Sequence, residues 1–188
     1  ILEHLITLRN VPCMVEVVVL MRASGVRPSD EDYHTLMKSM THHSRYHLHC
    51  RRMFEYKRLD GGISILHFNV LLRSCVSPAL VKEALNIFDE IQHAATSDPQ
   101  LVPDAYTFTT MMTVFANAQM PIDGMRYFQL LLDSKMPMGP GHWAGAIEAF
   151  IKTGNVSLAM KLFEQMRSAG VTPVPATYSS MFTGLALT

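Results

Sequence analysis

The chain has 188 residues, 48% of them hydrophobic, 9% aromatic and 17% charged, which is enough apolar material for a sizeable core and too much for disorder. Its 16 basic and 16 acidic side chains cancel, so no net field draws the whole chain to nucleic acid or to an anionic membrane. The longest apolar run, Val17–Met21, is far too short to cross a bilayer, and three cysteines without a CxxC (Cys13, Cys50, Cys75) suit a reducing compartment. The chain begins at Ile1 without Met or a signal-like segment, so its native start is expected to lie outside it.

In chain order, helical spacing recurs in pairs. A first stretch stops at Gly25-Val26-Arg27-Pro28, where glycine ends a helix and proline cannot continue it. A helix is predicted from Tyr33, a turn near 41–45, and a second helix through Tyr56. The next pair starts at Phe68 and turns near 76–79. Its second helix is striped by Val81, Ala84, Leu85, Phe88 and Ile91. The run Gln-His-Ala-Ala-Thr-Ser-Asp-Pro-Gln that follows has loop composition and predicts a surface loop at about 93–102. Phe108, Met111, Met112 and Phe115 open a third pair that turns near 117–121. Trp143, Ala146, Ile147 and Phe150 open a fourth that turns near 152–156. Its second helix carries Val156, Ala159, Met160, Phe163 and Met166, with Phe163 expected in the core, and the pair closes at Gly170-Val171-Thr172-Pro173.

These pairs are a repeat. The aromatics Tyr33, Phe68, Phe108, Trp143 and Tyr178 are spaced 35, 40, 35 and 35. Met21, Tyr56, Ile91, Leu131 and Met166 keep step, as do Pro28, Ile63, Pro103, Met138 and Pro173. All three series share one five-residue slip between Ile91 and Pro103, which chance does not produce. A helical hairpin whose apolar faces need neighbours on both sides is the unit of an α-solenoid.

Val102-Pro103-Asp104-Ala105-Tyr106-Thr107-Phe108-Thr109, Gly170-Val171-Thr172-Pro173 and the helix from Ser157 to Met166 resemble pentatricopeptide repeats. The resemblance covers the whole chain, read as a single segment: a partial unit at 1–29, full units at 30–64, 65–104, 105–139 and 140–174, and a partial unit at 175–188. It implies an all-α, right-handed α-solenoid. It also implies a non-catalytic RNA-binding role, without cofactor, small-molecule substrate or membrane, in a mitochondrial or alternatively plastid ribonucleoprotein. There the partner is single-stranded or ribosomal RNA, possible neighbours are other ribonucleoprotein proteins, and an accessory place on a mitochondrial ribosome or a part in RNA processing fits. A protein–protein scaffold without RNA contact is the alternative.

In this family each repeat can read one base, through the residue after the first-helix aromatic and the residue closing the unit. The resemblance assigns those places to His34 with Ser64, Asn69 with Asp104, Thr109 with Gly139, and Ala144 with Val174. Only Asn69 with Asp104 matches a familiar pair, linked to uridine, since an amide offers donor and acceptor to a pyrimidine edge. Phosphates have a separate candidate. Between Tyr33 and Leu59 stand Lys38, Arg45, Arg51, Arg52, Lys57 and Arg58 against the single acid Glu55, with five histidines. From Met111 onward the chain carries five basic and four acidic residues. His43, His47 and Cys50 would share a face of one continuous helix, but the repeat register puts His43 in a turn, so no metal is expected. No GxSxG, phosphate-cradling glycine loop, HExxH or close carboxylate pair occurs.

Overall fold

The computed structural model describes residues 10–186. Among them every regular element is helical. The chain divides into two compact units, one running to Cys75 and resuming over Leu85–Val102, the other comprising Val76–Ala84 and the chain from Pro103. The first unit holds α1 (Val11–Ala23), α2 (Asp30–Met40), a 3₁₀ turn (Ser44–Tyr46), α3 (His47–Asp60), α4 (Ile65–Arg73) and most of α5 (Val81–Ser97). The second holds a 3₁₀ turn (Pro78–Leu80), the start of α5, α6 (Ala105–Asn117), α7 (Pro121–Asp133), α8 (Pro140–Lys152), α9 (Val156–Ser168) and α10 (Pro175–Ala186).

Local chemistry sets these boundaries. Pro121 and Pro140 open their helices, where the missing N–H costs nothing. Gly25 and Gly170 follow their helix ends at φ 80° and 74°, and Val26 and Val171 donate back to the carbonyls of Met21 and Met166 at 2.9 and 3.1 Å. Lys135 takes the equivalent place at φ 54° with a side chain that disfavours it. The hairpins turn at Thr41–Tyr46, Ser74–Leu80, Ala118–Met120 and Thr153–Asn155.

Packing follows the same logic in each unit. α2 meets its hairpin partner α3 and also α4, the first helix of the next hairpin. In the second unit α6 meets α7 and α8, and α8 meets α9 and α10. The core of the first unit is built on Tyr33, Leu36, Met37, Phe54, Phe68 and Leu72. That of the second is built on Phe128, Trp143, Ile147, Phe150, Leu162 and Met166, with Phe128 and Trp143 edge to face at 5.2 Å. A Cβ on Gly124 would sit 3.1 Å from the Met112 carbonyl, so α7 lies closer to α6 than a larger residue allows. Within each unit the hairpins stack as helical repeats do.

Two expectations are corrected. The stretch read as a loop at about 93–102 is helical through Ser97. Ala94 and Ala95 favour a helix, the Ala94 carbonyl accepts from the Asp98 amide at 2.9 Å, and only then does the chain leave α5. Phe163 is half-buried rather than core, its ring edge to face with the 45% exposed Tyr178 at 5.7 Å. The deep aromatic of that hairpin is Phe150, with no exposed surface. Phe150→Ala should therefore cost about 3–5 kcal/mol, and Phe163→Ala clearly less, in urea unfolding. Equal losses would contradict this placement.

Candidate nucleic-acid interface

Each first helix starts at the residue that closes the preceding unit. Ser29, Ser64, Asp104 and Gly139 are the N-caps of α2, α4, α6 and α8. Ser29 Oγ accepts from the Asp32 amide at 3.1 Å, and Asp104 Oδ1 accepts from the Thr107 amide at 2.8 Å. The residue three places on returns the bond. The amides of Ser29, Ser64, Asp104 and Gly139 donate to Asp32 Oδ2, His67 Nδ1, Thr107 Oγ1 and His142 Nδ1 at 2.9, 3.3, 3.1 and 3.2 Å. At Gly139 only this returning bond exists, because glycine has no side chain to cap with. The fifth member, Thr177, is buried with its Oγ1 unpaired. Sequence reading missed this series, although Asp32, His67, Thr107, His142 and Thr177 stand one residue before the aromatics and share their spacing.

The base-reading candidates are placed as follows. Asn69, on α4, is only 3% exposed. Asp104 belongs to the other unit, where its carboxylate also accepts the Thr107 hydroxyl at 3.0 Å. Thr109 is half-buried and its hydroxyl donates to the carbonyls of Ala105 and Tyr106 at 3.0 and 3.1 Å. His34 is half-buried and edge to face with His67 at 6.2 Å.

The basic cluster is divided by acids that lie outside its stretch of sequence. Lys57 is buried, bonded to Asp30 and donating to the Gly61 carbonyl at 2.6 Å. Its ammonium holds the Asp30 carboxyl below the usual range, with smaller help from His67 and His34. Arg51 meets Glu90 at 2.5 Å and Glu55 at 3.3 Å, and Arg58 approaches Glu90 at 3.8 Å. Lys38, Arg45 and Arg52 stay exposed. Arg45 lies over the Tyr46 ring at 4.6 Å, and Arg52 lies over Tyr56 at 5.4 Å while donating to its hydroxyl at 3.0 Å. Half of the six cations, Lys57, Arg51 and Arg58, are thus paired with acids.

A separate clasp joins α1, α2 and α3. Arg22 donates to the Tyr33 hydroxyl at 3.0 Å and pairs with Asp60, and Tyr33 donates to Asp60 at 2.7 Å. Burial and the Asp60 carboxylate push the Tyr33 hydroxyl up to about 12, so it acts as a fixed donor.

The residues weighed for metal are not gathered. His43 precedes the 3₁₀ turn, outside α3. His47 Nδ1 sits 2.8 Å from Ser74 Oγ and 3.4 Å from Cys75 Sγ, while Cys50 Sγ faces the Met37 carbonyl at 3.9 Å. Burial pushes the Cys50 thiol up to about 12, with Cys75 also raising it. Among the described residues no group of three or more His, Cys, Asp or Glu is placed to hold a metal.

Two measurements test the caps. Asp104→Ala should cost about 1 kcal/mol of stability, whereas Asp104→Ser should cost little, because serine caps equally well. Burial lowers the pKa of His67 against an opposing pull from Asp30 that is second only to burial, and Lys57 and His34 add smaller lowering contributions. The folded state therefore favours neutral His67, whose contribution is full above the unfolded value of about 6.5 and is lost as pH falls towards the lowered folded value. His67→Thr, the residue used at Thr107, should unfold with a shallower loss between about pH 7.5 and 5.5 than the parent. An unchanged slope would mean His67 is not the titrating group.

Two profiles of the pentatricopeptide repeat match the chain, PPR repeat over residues 106–136 and PPR repeat family over 145–186. A chloroplastic pentatricopeptide repeat-containing protein of Arabidopsis thaliana is 24% identical over 129 residues, 67% of this chain and 16% of that protein. Maize PPR10, solved in complex with an 18-nt psaJ RNA element, superposes with a TM-score of 0.70 at 17% identity over 96% of this chain and 26% of its own. Nuclear proteinaceous RNase P 2 of A. thaliana gives a TM-score of 0.65 at 12% identity, over 98% of this chain and 40% of its own. The likeness to these structures is one of fold, an all-α helical-repeat solenoid, and the chain spans well under half of each relative.

Proposed function

Because this chain belongs to the pentatricopeptide repeat family, we propose that it binds single-stranded RNA, as a non-catalytic segment of an organellar ribonucleoprotein. The repeat architecture carries the reading, supported by the RNA-bound state of PPR10. The chloroplastic relative lends support to a plastid. A mitochondrial site, and with it a place on mitochondrial ribosomal RNA, rests on the family resemblance. Among the titratable clusters, Asp30, Lys57 and His67 are engaged in pairing and capping and Arg22, Tyr33 and Asp60 in a clasp between helices, which fits a binder better than a catalyst.

Phosphate contact in this reading falls to Lys38, Arg45 and Arg52, the half of the basic cluster not paired with acids, while Asn69 and Asp104 are the candidate uridine readers. Replacing those three cations with Gln should weaken every single strand alike and lower the salt slope by about 0.7 per lost contact. Asn69→Ala with Asp104→Ser, which keeps the helix cap, should cost about 1–3 kcal/mol on uridine-containing strands alone if bases are read. We expect the uniform pattern to dominate, since one matched repeat among four cannot specify a site. Absence of RNA binding at low salt would transfer the case to the protein scaffold, a reading favoured by the commitment of Lys57, Arg51 and Arg58 to internal acids.

A further inference from the structure

The insertion that breaks the repeat spacing builds a cleft. α5 runs for 17 residues, against 14 in α3 and 13 in both α7 and α9, so it carries an additional turn that the other second helices lack. Inside the first unit that turn, with Asp98 and Leu101 beyond it, walls a cavity of about 1020 Å³ against α3, residues 62–63 and α4. This is the upper end of the range for ligand pockets, and the cavity is open to solvent. Its apolar lining comes from Phe54, Ile63, Phe68 and Leu101, with the Phe54 and Phe68 rings 4.8 Å apart.

The charges on the wall do not balance. Arg58 lines the cleft but faces Glu90, which Arg51 also holds. Asp89, exposed on α5, and Asp98 at its end form no ion pair among the described residues, and besides Arg58 the basic side chain that shares the cleft with them is His93. Such a wall repels phosphate and attracts cations, while the half-buried Ile63 and Leu101, above the buried Phe54 and Phe68, offer apolar surface. The geometry points to a docking site for a basic segment of a partner protein, its apolar side chain against the half-buried Ile63 and Leu101 and its lysines or arginines against Asp89 and Asp98. This site is distinct from RNA contact and stands whether or not RNA binds.

The test uses fluorescence anisotropy with a short labelled peptide alternating leucine and lysine, and a leucine–glutamate peptide as its control. The lysine peptide should bind saturably and the glutamate peptide should not. Asp89→Lys with Asp98→Lys should weaken binding roughly tenfold, the scale of a few reversed surface charges. Ser97→Trp, at an exposed position on the rim, should weaken it by obstruction without any change of charge, and carries the test should the double reversal lower the melting temperature. Oligouridine should not displace the peptide. The proposal is overturned by no binding, by equal affinity for both peptides, by indifference to the substitutions, or by displacement with oligouridine, which would give the cleft to RNA.

Discussion

Four of the five first helices described in this protein, α2, α4, α6 and α8, depend on a short return bond between the N-cap amide and the side chain three residues on. Asp32, His67, Thr107 and His142 supply an oxygen or a ring nitrogen to the same backbone group. An unpaired amide at a helix start is costly once the neighbouring helix covers it, so some acceptor must stand there. The aromatic next in sequence is then fixed on the buried side, where Tyr33, Phe68, Phe108 and Trp143 lie. Register, core and the position of the unit-closing residue all follow from that one bond.

The same bond constrains recognition. A residue placed to read a base at the end of a unit is also the cap of the next helix, so its side chain serves two acceptor roles. Asp104 illustrates the competition, because the oxygen that would meet a base edge already takes the Thr107 amide. Ser64 is similarly drawn to His67 Nδ1, at 2.8 Å. If the unit-closing residues read bases, as proposed, base choice is coupled to helix-start chemistry, and substitutions must preserve one to change the other.

Periodicity made the hairpins legible, since aromatics and aliphatics at helical spacing must share a buried face. What escaped were contacts between residues far apart in sequence. A window over Tyr33–Leu59 shows six cations and one acid, yet Asp30 and Glu90 lie outside it and neutralise Lys57, Arg51 and Arg58. The insertion carried loop residues in Ser97, Asp98 and Pro99, but alanines before them sustained the helix. Phe163 satisfied the stripe and still faced outward in part, because stripe membership fixes a direction and not the depth of cover. The capping series was present in the sequence but chemically mixed, Asp, His, Thr, His and Thr, and a search by residue type passes over it.

The buried environment of two thiols also gives this protein a ready experimental handle. Cys50 and Cys75 are enclosed in the first unit, with Cys50 ionising only near 12, whereas Cys13 on α1 is partly accessible. Alkylating reagents react with solvent-reachable thiolate, so a maleimide dye should attach at Cys13 first. The unaltered chain thereby offers a single fluorophore position on the outer turn of α1, from which ligand-induced changes can be followed without engineering a cysteine.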